Sequence, residues 1–395
     1  MNIKNLKSAT IVAILVVAMY VAEYFVTIYI QSIDLQKVRI SGAYKLFFQL
    51  ALLFLIDYKN INRKIVYTLS LIVFCFSVSL FLNPRLVSDF SWLLTNGSIY
   101  YFDRYLVVFL FALMIYSRKE SFTIVEKSIR YVEIILLTNA FLILFSFFLG
   151  LDFFKSYYES SRFGYDGLFN KSNEASIVYI IYMIYIYHDV FINKTQKLIK
   201  FIFIACISLL MGTKSILLFL TLLLLFHFLF VFKGNKFLKP VILSCLIVLS
   251  LFFKNLVKYV FSLSHFWNNI DEDSILTLLL SYRDLLVLKN IDYINLNWSP
   301  INYLIGGSFY TNEFEISQMD GVDLFVFFGV LGMLAYCFLL IKILMKSNHI
   351  LNGLIIIIFI CGFLGGGLLT SAMSMILLFL ICFKLNKNQE TLSNV

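Results

Sequence analysis

Apolar runs long enough to cross a bilayer recur along this chain from residue 9 to residue 383. A hydrocarbon core of about 30 Å takes about 20 helical residues per crossing. The runs at residues 9–30, 43–57, 65–82, 99–116, 131–150, 174–192, 198–211, 215–232, 238–256, 322–343, 350–364 and 367–383 meet or approach that length, giving about twelve spans. In lipid the backbone must satisfy its own polar groups, so the spans are helices. The expectation is an all-α fold: a polytopic integral membrane helix bundle forming one transmembrane domain over residues 1–395. Composition agrees, with 61% hydrophobic and 14% charged residues, against about 45–50% and about 25% in soluble proteins. The first run is too long for a signal-peptide core, and no small-residue cleavage site stands out, so it reads as a retained signal anchor. The six cysteines all lie in apolar runs, without disulfide or zinc spacing.

The formal charge is +9. In a soluble chain that excess would suggest nucleic acid, but here it follows the positive-inside rule. With Lys4 and Lys7 in the cytoplasm, the short inside loops hold Arg63, Lys64, Arg118, Lys119, Lys194, Lys197, Lys346 and Lys387 among others. Most acids, including Asp89, Asp152, Asp166 and the Asp271–Asp273 cluster, fall on the opposite side. Both termini are then cytoplasmic. Residues 257–321 form a large extracytoplasmic loop region with short amphipathic helices and no nucleic-acid platform. Loops beyond about 15 residues are uncommon unless functional or disordered, and this one carries Trp267, Trp298 and apolar runs.

Outside cations are scarce, which makes them informative. Arg283 lies in the segment 274–289, whose helical periodicity puts Ser274, Thr277, Ser281 and Asp284 on a polar stripe and Arg283 on the apolar face. A guanidinium there needs a partner. Either it pairs with an acid such as Asp284, or it meets a phosphate, which Arg contacts in bidentate fashion. Arg162 opens the segment Arg162-Phe163-Gly164, followed by Asn170 and Asn173-Glu174 at a helix start. Ser172 or Asn173 suits helix capping as well as ligand contact. Gly212-Thr213-Lys214 makes a tight turn between two apolar runs, where Lys214 either snorkels or adds a third cation. Gly306-Gly307, Glu313, Glu315, Asp320 and Asp323 then lead into the span with Gly329 and Gly332. The helix dipole alone favours acids at such a start. They can also act as a base or bind a divalent cation, although the spacing is not that of an EF-hand and supports no cofactor. Glu23 is an acid inside the first span with no partner readable from sequence, and Asp103-Arg104 read as an interfacial pair. The four histidines lack metal-ligand spacing, and no nucleotide-binding loop is present.

In this order on a many-span chain, these constellations resemble the Wzy-type polysaccharide polymerases, relatives of the O-antigen ligases. The resemblance covers most of the second half of the chain; the first half matches only as apolar spans. Two departures are Lys214 where relatives often carry Arg, and the lack of any His between His265 and His349, where the ligase branch carries one. The resemblance implies a glycosyltransferase of the bacterial cytoplasmic membrane that joins undecaprenyl-pyrophosphate-linked oligosaccharides, working beside a flippase and a chain-length regulator. It implies catalytic roles for Arg283, Asp320 and Asp323, and substrate contacts from Arg162, Lys214, Asn173, Glu313 and Glu315. Fixed cations would stabilise the departing diphosphate, and an acid would take the proton of the attacking hydroxyl. The alternatives are a ligase-type transferase and a lipid-linked oligosaccharide flippase.

Overall fold

The computed structural model describes residues 3–32, 40–81, 98–156, 163–232, 277, 280–307, 316–346 and 348–393. Among them the chain is all-helical, with thirteen α-helices and no strand. They are α1 (Ile3–Ser32), α2 (Ile40–Leu55), α3 (Arg63–Phe81), α4 (Ser98–Ser117), α5 (Ser121–Leu149), α6 (Ser172–Tyr187), α7 (Leu198–Leu209), α8 (Lys214–Phe226), α9 (Arg283–Asn297), α10 (Pro300–Ile305), α11 (Asp320–Leu344), α12 (His349–Gly365) and α13 (Ala372–Ser393). Six stretches, Ser8–Thr27, Arg63–Phe81, Ser121–Leu149, Ser172–Ile192, Lys214–Val231 and Asp320–Leu344, are long and apolar enough to cross a membrane.

Helix α6 is the axis of the bundle, with every residue from Ala175 to Tyr187 buried. α13 packs beside it, also against α4 and α5, and α11 packs along α3. Facing outward are large apolar side chains such as Phe54 (88% exposed), Phe81 (86%) and Phe148 (73%). Apolar surface on this scale marks a membrane-facing exterior. The buried Glu23 finds its partner in Lys45 of α2, at 2.5 Å. An unpaired charge in that position would be expensive, so this pair fixes α1 against α2.

Several helices reverse direction at one end of the bundle. There α4, α6, α8, α11 and α13 begin, while α5, α7 and α12 end. α11 breaks at Gly329 (φ 60, ψ −169), where the sequence reads as one continuous span. The break leaves the carbonyl of Val326 for the N–H of Gly307, at 3.0 Å. In this way the Gly306-Gly307 turn after α10 docks into the kink of α11.

One expected element differs. The segment 274–289 is not a single helix, because Ser281 and Tyr282 adopt left-handed backbone angles (φ 55 and 64) immediately before α9. The N–H of Tyr282 instead donates to the carbonyl of Thr277 at 3.0 Å. Sequence periodicity runs across that interruption because the residues on both sides keep the apolar pattern.

Candidate functional site

The reversal end carries a polar cavity of about 330 Å³, lined by Tyr101, Arg104, the start of α6 (Lys171 to Glu174), Ile316, Gln318, Asp320, Asp323 and the loop before α13. Its size falls at the lower limit of small-ligand sites. The wall on the α13 side is built around Asp320. Its carboxylate accepts the N–H groups of Gly367 (3.1 Å), Leu368 (2.9 Å) and Leu369 (3.1 Å), so one acid shapes a whole turn of loop. One turn later, Asp323 accepts from both the N–H and the hydroxyl of Ser317, at 3.0 and 2.8 Å. This closes the turn that leads into α11.

The start of α6 forms the opposite wall. Neither Ser172 nor Asn173 caps that helix: Lys171 occupies the cap position and its side chain makes no cap hydrogen bond. Ser172 donates its hydroxyl to Asp166 instead, at 3.1 Å. Asn173 is thus a helical residue that borders the cavity. Ser371 ties the two walls together. Its hydroxyl accepts the N–H of Ser374, capping α13, and donates to Glu174.

Backbone contacts hold this end closed. Gly164 and Gly212 meet so tightly that a Cβ on Gly212 would lie 2.3 Å from the carbonyl oxygen of Phe163. The hydroxyls of Ser176 and Thr213 are 2.7 Å apart. Asn139 of α5 clamps the 166–168 turn by donating to the Asp166 carbonyl and accepting the N–H of Leu168, at 3.2 and 2.8 Å. It makes both contacts while buried at 1% exposure.

Arg283 lies behind the loop and is not among the residues that line this cavity. It is buried, donates to the carbonyl of Leu364 at the end of α12, and interacts electrostatically with Asp320. Asp284, the acid offered as one of two alternatives for it, accepts from Thr277 at 2.6 Å. Lys214 likewise stands off the cavity wall, donating to Ser281 at 3.1 Å, two residues from Arg283. Of the residues expected from sequence, Asn173, Asp320 and Asp323 line the cavity. Arg162, Glu313 and Glu315 lie outside the described residues.

Sequence reasoning assigns no functional role to Tyr101, Arg104 or Lys171, and it gives Glu174 only as part of the Asn173-Glu174 motif, without a function. Arg104 lies 5.7 Å from the ring centre of Tyr101, a cation–π contact on the cavity wall. These residues come from α4 and from the helix start next to an expected contact. The only available signal was an Arg near the end of an apolar span, where an interfacial role is the ordinary explanation.

Asp166 supplies a pH prediction. Burial pushes its carboxyl up to about 7, against the pull of the hydrogen bond from Ser172. Its folded pKa lies above the unfolded value of 3.8, so the folded state holds the proton more tightly. Stability therefore falls as pH rises from about 4 to about 7 and levels off above that. The melting temperature of the detergent-purified protein should decline across this window, and Asp166→Asn should flatten the decline. Equal slopes in the two proteins would refute the assignment.

Comparison with protein-family profiles, curated proteins and solved structures gives no match to this chain.

Proposed function

We propose that the chain is a glycosyltransferase of the bacterial cytoplasmic membrane that polymerises undecaprenyl-pyrophosphate-linked oligosaccharide repeat units at the outer face. The observation carrying this reading is a charged cavity at one end of an apolar helix bundle, bordered by Asn173, Glu174, Asp320 and Asp323 of the quoted motifs. A lipid-linked sugar diphosphate has these same two parts: a tail that stays in hydrocarbon and a charged head at its edge.

Orientation follows from the other end. Lys384 donates to Tyr185 there, Lys200 pairs with Glu133, and Lys387 sits 5.5 Å from the ring centre of Phe122. Under the positive-inside rule this basic end is cytoplasmic, so the cavity opens outward. In this reading both termini are cytoplasmic, which the position of Ser8 near the start of α1 and of the end of α13 at the basic end supports. The proposed twelve spans include the apolar run 238–256, between α8 and α9. α8 ends at the basic end, where His227 meets Tyr187, and α9 begins beside Lys214 at the cavity end.

In the cavity, Arg104 and Lys171 offer positive charge to a diphosphate, and the uncapped first turn of α6 adds its partial positive charge. Preorganised charge of this kind stabilises a departing anion in a water-poor site. Arg283 and Lys214 brace the wall behind the loop, and Arg162, Glu313 and Glu315 remain candidates for substrate contact. Nothing in this chemistry requires a nucleotide.

Surface glycan from a deletion strain tests the proposal. Single repeat units on the carrier or at the surface are the expected product. Absence of any outward glycan would point to a flippase, and untransferred long polymer on the carrier to a ligase. An unchanged glycan ladder would sink the proposal.

A further inference from the structure

We propose that Glu174 is the catalytic base of this cavity, and that Asp320 and Asp323 build its walls. The inference rests on the polymerase reading above and names the group that would activate the acceptor. Three carboxylates border the cavity, those of Glu174, Asp320 and Asp323, and they are committed in different ways. Asp320 holds three backbone N–H groups and Asp323 holds a backbone N–H and a hydroxyl. A proton on Asp320 would weaken its hold on the N–H groups that shape the loop, and Asp323, which takes both its donors on Oδ1, is only 2% exposed and so the less reachable acid. A base that must cycle between protonated and charged forms is poorly served by such a frame.

Glu174 is placed otherwise. Its Oε1 accepts the hydroxyl of Ser371, which fixes the side chain against α13. Among the described residues its Oε2 has no hydrogen-bond partner, and the residue is half-buried at the cavity edge. Arg104 and Lys171 border the same cavity, so a base and two cations share one space. Transfer needs that set: a proton acceptor for the hydroxyl and positive charge for the leaving group.

The step balances without another reactant. A hydroxyl of the acceptor sugar gives its proton to Oε2 of Glu174. The hydroxyl oxygen bonds to the anomeric carbon of the donor glycan. The bond from that carbon to the diphosphate oxygen breaks, and its electron pair leaves with the diphosphate.

The test uses the full-length protein purified in detergent, with lipid-linked repeat units as substrate, alongside complementation of the deletion strain. Glu174→Gln should lower kcat by about 10²–10⁴-fold, the usual contribution of a general base, with KM little changed and the melting temperature retained. Glu174→Ala should regain part of its rate when formate is added, a recovery that a purely structural role would not give. Should Glu174→Gln fold poorly, the formate response of Glu174→Ala decides. Wild-type kcat in Glu174→Gln, or no formate response in a folded Glu174→Ala, would overturn the inference. Neither result touches the polymerase reading as long as the deletion strain fails to extend glycan. A deletion strain with a normal ladder would remove that reading itself.

Discussion

Arg283→Ala stops glycan extension at a single repeat unit, while the protein still accumulates in the membrane: this is the expected result, with kcat reduced by at least about 10²-fold on the scale of a displaced catalytic group. Arg283 starts α9, is 9% exposed, donates to the carbonyl of Leu364 and lies within electrostatic reach of Asp320. Leu364 stands just before the loop whose N–H groups clasp Asp320 and whose Ser371 holds Glu174. Truncation releases the end of α12 and deprives Asp320 of a nearby positive charge. Breaking a buried charge arrangement by removing one partner costs about 3–5 kcal/mol. A displacement of about 1 Å in a reacting group is already worth about 10²-fold in rate. Arg283→Lys should recover little, because an ammonium cannot reproduce the planar fork. Glycan ladders, membrane protein levels and kcat against KM check the result. Long polymer from Arg283→Ala would show that this brace is dispensable.

The outline of the bundle is legible in the sequence because each long helix writes its length as an uninterrupted apolar run. α1, α3, α5, α6, α8 and α11 all coincide with expected spans. The quoted glycine motifs also point to real junctions: Gly164 packs on Gly212, and Gly306 on Gly329. Sequence order does not show that these are backbone-to-backbone contacts between distant segments. The partner of Glu23 was equally hidden, since Lys45 lies on another helix. The cavity wall shows the same limit from another side. Arg104 and Tyr101 belong to α4, in the first half of the chain, which the sequence shows only as apolar spans, and folding alone brings them to the same cavity as Asp320. Arg283 illustrates the converse. Its burial and need for a partner follow from its position on an apolar face, but one of its partners is a main-chain carbonyl, which no residue pattern encodes.

Gly329→Ala should strongly damage both stability and activity. Gly329 has φ 60 and ψ −169 in the middle of α11, a region that only glycine occupies readily. Forcing a side chain into such geometry costs about 1–3 kcal/mol from the backbone alone. The added Cβ would also lie 2.4 Å from the N of Gly306 and 2.4 Å from the carbonyl carbon of Leu304. Those atoms are backbone and cannot rotate away, so the α10 turn must move off α11 or the kink must straighten. Either movement breaks the Gly307 to Val326 hydrogen bond that completes the interrupted helix. It also shifts the first turns of α11, which carry Asp320 and Asp323 to the cavity. The expected outcome is a marked fall in melting temperature together with loss of glycan extension. Gly332→Ala is the informative comparison: its added Cβ would also crowd a neighbour, the Cβ of Phe328 at 2.6 Å, but its backbone keeps helical angles, so the difference between the two isolates the Gly329 conformation and its contact with α10. If Gly329→Ala melts no lower than Gly332→Ala, the kink is not what holds α10 to α11.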